Sequence, residues 1–281
     1  MANEVDKFLK GLATNSTRLV IDKASIASQT AGSYSSLWRA TGQPAQGAIP
    51  AAAAVCNNTT TGAFVIPRQT APIKSYLGFL EAASSNAAMT LEIHDRLMHM
   101  GGLSGTVTTA QTVNLDLDAN LATNNLAERI GDSDYSDVQW WMEWYTATGA
   151  TAVTATVNVT YSDGSSGNLS TISLAATRPA SHAINLNVYR PAGTTVNIRD
   201  INNVTLSATT ATAGSFGFTA TRLRGSLFMP IANAKFGANW LDLPISEIPQ
   251  EACPFMMMIT STTSTGTVRG GGKVPHVDLT S

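Results

Sequence analysis

The sequence predicts an all-β protein: an antiparallel β-sandwich of jelly-roll type with an extended N-terminal arm. Three observations carry this. Between Val138 and Leu174 apolar residues recur at strict period two. Val138, Trp140, Met142 and Trp144 share one face, and Val153, Ala155, Val157, Val159 and Tyr161 share another. Period two with β-branched residues means strands with a buried face. Short apolar segments of the same kind, roughly ten to thirteen of them, are spaced by turns as in sandwiches and jelly rolls. No long amphipathic helix interrupts them, which argues against a parallel α/β sheet.

Taken in order, residues 2–12 have the spacing of a short helix, with Val5, Phe8, Leu9 and Leu12 on one face and Asn3 as a possible cap. A helix this short is marginal alone and is expected to dock. Residues 13–61 are rich in Gly, Pro, Ala and Thr, with a short strand at Leu19–Ile21. Isolated anchors such as Leu37 and Trp38 suggest an arm lying over its own domain or a neighbour. The sandwich is expected over 62–269. Ala63–Ile66 reads as a strand, and residues 73–79 and 89–93 as a hairpin around Ser84-Ser85-Asn86. Val113–Leu117 follows, then a helical turn or loop at Leu121–Ile130. The central segment is expected to form a meander turning at Ser162–Gly167. Further strands centre on Ile184–Val188, Val196–Ile198, Val204–Leu206, Phe216–Ala220, Leu227–Ile231 and Phe255–Ile259. Gly270-Gly271-Gly272 is expected to open a flexible tail over 270–281.

Of the 281 residues 43% are hydrophobic, enough for a substantial core. Charged residues make up 13%, about half the usual share of roughly 25%. A weakly charged surface suits a chain packed against neighbours, because a buried charge needs a partner. Net charge is −2, with no basic stripe for phosphates, so nucleic acid is not an expected partner. Cys56 and Cys253 are too few for a disulfide scaffold, though one long-range bridge is possible. Asp6 and Lys7 interrupt the N-terminus, so no signal peptide is expected. No apolar run approaches the ~20 residues of a membrane helix.

Catalytic patterns are scarce. Asp132, Asp134 and Asp137 cluster in GDSDYSD, but the spacing of a calcium-binding EF-hand loop is missing, and a solvated acidic turn is the plainer reading. His94 and His99 are five apart, not at the spacing of zinc proteases, and His182 and His276 are isolated. All four read as structural histidines. No nucleophile elbow or phosphate loop occurs. No catalytic, metal or cofactor-binding residue is therefore expected. Trp140 and Trp144 read as core. Trp141 and Tyr145 lie on the more polar face, where they could stack on a sugar or be buried under the arm, another sheet or a subunit.

Five stretches together resemble a group of tailed-bacteriophage virion proteins: SLWRATGQPAQGAIPAAAAVC (36–56), HDRLMHMGGLSGTVTTAQTVNLDL (94–117), WWMEWYTATGATAVTATVNVTYSDGSSG (140–167), VTLSATTATAGSFGFTATR (204–222) and ISEIPQEACPFMMMITSTTSTGTV (245–268). The likeness is one of texture and order from Ser36 to Val268. It implies a non-enzymatic structural protein of the virion, without a ligand site to carry over. Within that class the favoured expectation is a capsid decoration (cement) protein on the capsid surface, made in the host cytoplasm. Its expected partners are the major capsid protein and copies of itself, closed symmetry such as a trimer multiplying weak contacts. No membrane or small-molecule partner is expected. Leu37, Trp38, Trp141 and Tyr145 are the candidate interface residues, and residues 1–35 are expected to be dispensable for folding but needed for binding. The alternatives are a tail or neck component and, from another class, a glycan-binding β-sandwich.

Overall fold

The computed structural model describes residues 4–26 and 29–280. Its regular structure is almost all β and antiparallel, as the alternation predicts. Among the described residues there are nineteen strands: β1 Ser16–Lys23, β2 Tyr34–Ser36, β3 Gly42–Gln43, β4 Ala54–Val55, β5 Lys74–Tyr76, β6 Phe79–Ser84, β7 Met89–Leu103, β8 Gln111–Asp116, β9 Val138–Thr146, β10 Val153–Tyr161, β11 Ser166–Asn168, β12 Ile172–Leu174, β13 His182–Asn185, β14 Ile198–Leu206, β15 Ser215–Met229, β16 Phe236–Asn239, β17 Glu247–Ile248, β18 Pro254–Ile259 and β19 Val268–Val277. Two α-helices accompany them, α1 Glu4–Thr14 and α2 Leu126–Arg129. The proposed cap Asn3 lies outside the described residues.

The chain divides into two compact units rather than the single sandwich expected over 62–269. The first comprises residues 1–47, 57–95 and 223–281; the second comprises 48–56 and 96–222. Two of the crossings fall inside β7 and β15, between Asp95 and Arg96 and between Arg222 and Leu223, where the strands continue without a turn.

In the first unit one sheet has the order β16–β6–β19–β1–β3, with β5 added to β19 and β17 to β5. Strand β18 pairs with β2 and with Thr90–Asp95 of β7. Leu19, Ile21, Leu80, Leu91, Met256, Met258 and Val268 meet in one apolar core. Helix α1 docks through Phe8, whose ring lies 6.2 Å from both Tyr76 and Trp240. Docking of this kind is what lets so short a helix persist.

In the second unit β11–β10–β14–β8, with β12 on β10, form a five-stranded sheet. Strand β9 pairs with β13 and with the first half of β15. Trp140, Met142 and Trp144 share one core with residues of β10 and β14, among them Ala155, Val157, Val159, Ile201 and Val204.

Several expectations need correction. The arm over 1–61 is not a strap laid on a finished domain, because β1 pairs along its whole length with β19. The tail over 270–281 is not free either, since β19 runs to Val277, pairing with β1, with β6 and, at its end, with β5. The glycine run serves close packing: a Cβ on Gly270 would lie 2.0 Å from the Glu81 carbonyl oxygen. The expected hairpin is absent as well, because β6 pairs with β19 and β16, and β7 with β18 and β4. The meander is half right. Strand β10 turns into β11 and pairs with it, but the partners of β9 are β13 and β15. Ala63–Ile66 is irregular.

Candidate interaction surface

The four residues singled out from the sequence are all buried within the chain itself. Leu37 belongs to the core of the first unit. Trp38 meets Phe255 edge-on at 5.8 Å. Gly47 and Gly62 press on its indole so closely that a Cβ on either would fall within 3 Å of the ring. In the second unit Trp141 donates from Nε1 to Thr221 Oγ1 at 2.8 Å. Tyr145 donates to Glu143 Oε2 at 3.2 Å. None of the four is offered to a partner, so their expected interface role is corrected. The glycan-binding alternative loses its exposed aromatic pair for the same reason.

The polar face of β9 is instead covered by an internal charge cluster that the sequence reading missed. Arg96 and Glu143 are buried and paired at 2.7 Å. Arg96 also donates to Tyr145 Oη at 2.9 Å, to Thr219 Oγ1 at 3.0 Å and to His99 Nδ1 at 2.9 Å. Burial alone would lower the Arg96 pKa, but Glu143 and Tyr145 outweigh it and hold the guanidinium charged. Burial, then the Glu143 charge, push the Tyr145 phenol well above its usual value. Both effects fix one protonation state, which suits a structural brace. The signal for it was Asp95-Arg96 inside the apolar stretch of β7, where a charge demands a partner.

Other buried charges are braced in the same way. Arg129 donates to the carbonyls of Cys56 and Arg96 at 2.6 and 2.8 Å. In the first unit Asp95 pairs with Arg224 at 3.1 Å and accepts from the Cys253 amide at 2.8 Å. Lys23 Nζ donates to the carbonyls of Ala40 and Pro44 at 2.9 and 2.6 Å, and burial lowers its pKa to about 8. All four histidines have structural partners: His94 with Glu92, His99 with Arg96, His182 with Arg178, and His276 with Thr17 and Ser75. Cys56 and Cys253 are buried thiols, not a disulfide. Among the described residues no group of three His, Cys, Asp or Glu is placed to hold a metal, and no helix is long and apolar enough to cross a membrane. In GDSDYSD, Asp137 pairs with Arg222 at 2.7 Å and Asp134 accepts from the Ser136 amide at 2.9 Å.

What remains exposed and apolar is unevenly placed. Eleven large apolar side chains are exposed among the described residues. Only Val107 and Val188 belong to the second unit, which leaves nine on the first. Phe228, Ile231, Leu241 and Val65 are each more than half exposed. The first unit also carries a groove of about 400 Å³, lined by residues 18–20, 43–45 and 59–65. Singly exposed apolar residues are ordinary, and it is a contiguous patch that marks a contact surface.

No family model matches the chain, and no curated protein matches it. Among solved structures it aligns with T=1 particles derived from infectious bursal virus at 10% identity, over 97% of this chain and 83% of that one, with a TM-score of 0.18. It aligns with the VP2 subviral particle of infectious bursal disease virus at 10% identity, over 97% and 86%, with a TM-score of 0.17. Likeness at this level carries no argument about fold or role.

Proposed function

We propose that the chain is a non-enzymatic structural component of a tailed-phage virion, a capsid decoration protein that binds and stabilises the head. Its partners in this reading are the major capsid protein and further copies of itself. The observation that carries the proposal is the division of labour among side chains. Several charges are turned inward as braces, among them Arg96–Glu143 and Asp95–Arg224, while nine exposed apolar groups sit on one unit. That is the economy of a protein whose work is adhesion. The distributed resemblance from Ser36 to Val268 supplies the kind of particle.

The test is electron microscopy of purified particles with the chain labelled. A head coat on the order of hundreds of copies supports decoration, because closed shells repeat each contact. A copy number of a few to about a dozen moves the chain to the tail or neck. Particles without the chain overturn the proposal.

A further inference from the structure

Strand β1 is paired on one side only for most of its length. Toward β19 its register runs without a break from Ser16–Pro275 to Lys23–Val268. On the other side β3 covers just Asp22 and Lys23, opposite Gln43 and Gly42. Proline has no N–H to extend the ladder, and Pro44 follows at that point. The edge is therefore open over Ser16–Ile21.

Backbone parity shows which groups face this opening. The Asn15 carbonyl accepts from the His276 amide at 2.9 Å, so the odd-numbered residues of β1 direct their main-chain groups to β19. The Ala24 amide donates to the Thr41 carbonyl at 3.0 Å, so the even-numbered residues direct theirs the other way. Arg18 and Val20 thus aim their N–H and C=O groups outward, and no strand among the described residues receives them. The groove of about 400 Å³ lies along this stretch. The chain at 59–65 lines it without strand structure and is tied elsewhere, the Phe64 amide donating to the Pro254 carbonyl at 2.8 Å. Val20 and Val65, 48% and 71% exposed, are β-branched residues beside it.

Charge indicates the occupant. Arg18 is the one charged residue lining the groove, it is exposed, and it makes no ion pair among the described residues. Its neighbour Asp22, by contrast, is already paired with Arg269 at 3.1 Å. We propose that this edge is a strand-acceptor site. An extended peptide segment from a partner protein adds to β1, hydrogen-bonding Arg18 and Val20, with a carboxylate against the Arg18 guanidinium and an apolar side chain beside Val20 and Val65. Main-chain pairing supplies the affinity and the alternate side chains the selectivity. The inference stands on the open edge and does not depend on the virion reading.

The experiment uses the full chain and the blocked peptide acetyl-VTETVT-amide, whose Glu and Val lie two apart on one face like Arg18 and Val20, with acetyl-VTKTVT-amide as its charge-reversed control. Binding is read by amide exchange at Arg18 and Val20 and by titration. Addition of the acidic peptide is expected to protect both amides. The Glu peptide should bind about threefold or more tighter than the Lys peptide, the size of an exposed ion pair. Arg18→Ala should remove that preference without changing the melting temperature. N-methylation of alternate peptide amides should abolish binding, a control that leaves the protein untouched. Absence of protection, equal binding of the two peptides, or undiminished binding after N-methylation overturns the proposal. Protection that rises with protein concentration without peptide assigns the edge to a second copy and overturns it too.

Discussion

At the scale of single residues, this molecule uses some of its few charges as internal fasteners. Removing one member of the Arg96–Glu143 pair strands the other in the interior. Glu143→Leu alone should therefore cost about 3–5 kcal/mol, and the double variant Arg96→Met/Glu143→Leu should recover much of that loss. Denaturant midpoints decide this, and equal losses for single and double variants would refute the brace. His182 offers a second test. Burial, then the nearby Arg178, lower its pKa from 6.5 to about 4. The unfolded chain thus binds more protons between these values, so stability present above pH 6.5 falls as pH drops toward 4. The loss should approach about 3 kcal/mol. The difference in stability between the native chain and His182→Gln, measured from pH 7 to 4, isolates it; a flat difference rejects it. The burial of Trp140 and Trp144 was legible from alternation. The fate of Trp141 and Tyr145 was not, because their cover comes from Arg96, Thr219 and Thr221, residues far off in sequence.

At the scale of elements, the sequence announces strands but not their neighbours. Period two is local, so β9, β10 and β8 could be read directly. Partnership is not local: Met142 faces Ile184 on one flank and Phe218 on the other. The glycines of β19 misled for a related reason. They suggest freedom, yet here they admit the backbones of β6 and β1 at close range. Gly270→Val should consequently destabilise the first unit by about 1–3 kcal/mol or more through overpacking. Truncation before Asp22 should unfold that unit, because it deletes most of the strand that β19 pairs with. A truncated chain that keeps its native melting curve would restore the detachable-arm picture.

At the scale of the whole molecule, each unit has its own apolar core, and the exposed apolar side chains fall mostly on one of them. Phe228, 56% exposed on β15, is the test case. Phe228→Asp should leave the melting temperature within a degree or two, since surface changes rarely exceed about 0.5 kcal/mol. It should nevertheless lower occupancy on particles. Unchanged occupancy would remove Phe228 from the contact surface. The all-β class was visible in the sequence because it follows from patterning. The two-unit division was hidden because the chain changes units in the middle of two continuous strands, where no turn marks the passage.

The buried amine of Lys23 has a use beyond bracing. Lys10, Lys74, Lys235 and Lys273 are exposed, whereas Lys23 is sealed beneath the carbonyls of Ala40 and Pro44. An amine-reactive ester should therefore tag those four within the first pulse and reach Lys23 only when the β3 end of the edge lifts. Timed labelling read by mass spectrometry turns one native side chain into a clock for that motion. Tagging of Lys23 as fast as Lys273 would show that the seal does not hold. A bound strand that steadies the edge should slow the clock, and no probe has to be engineered into the chain to see it.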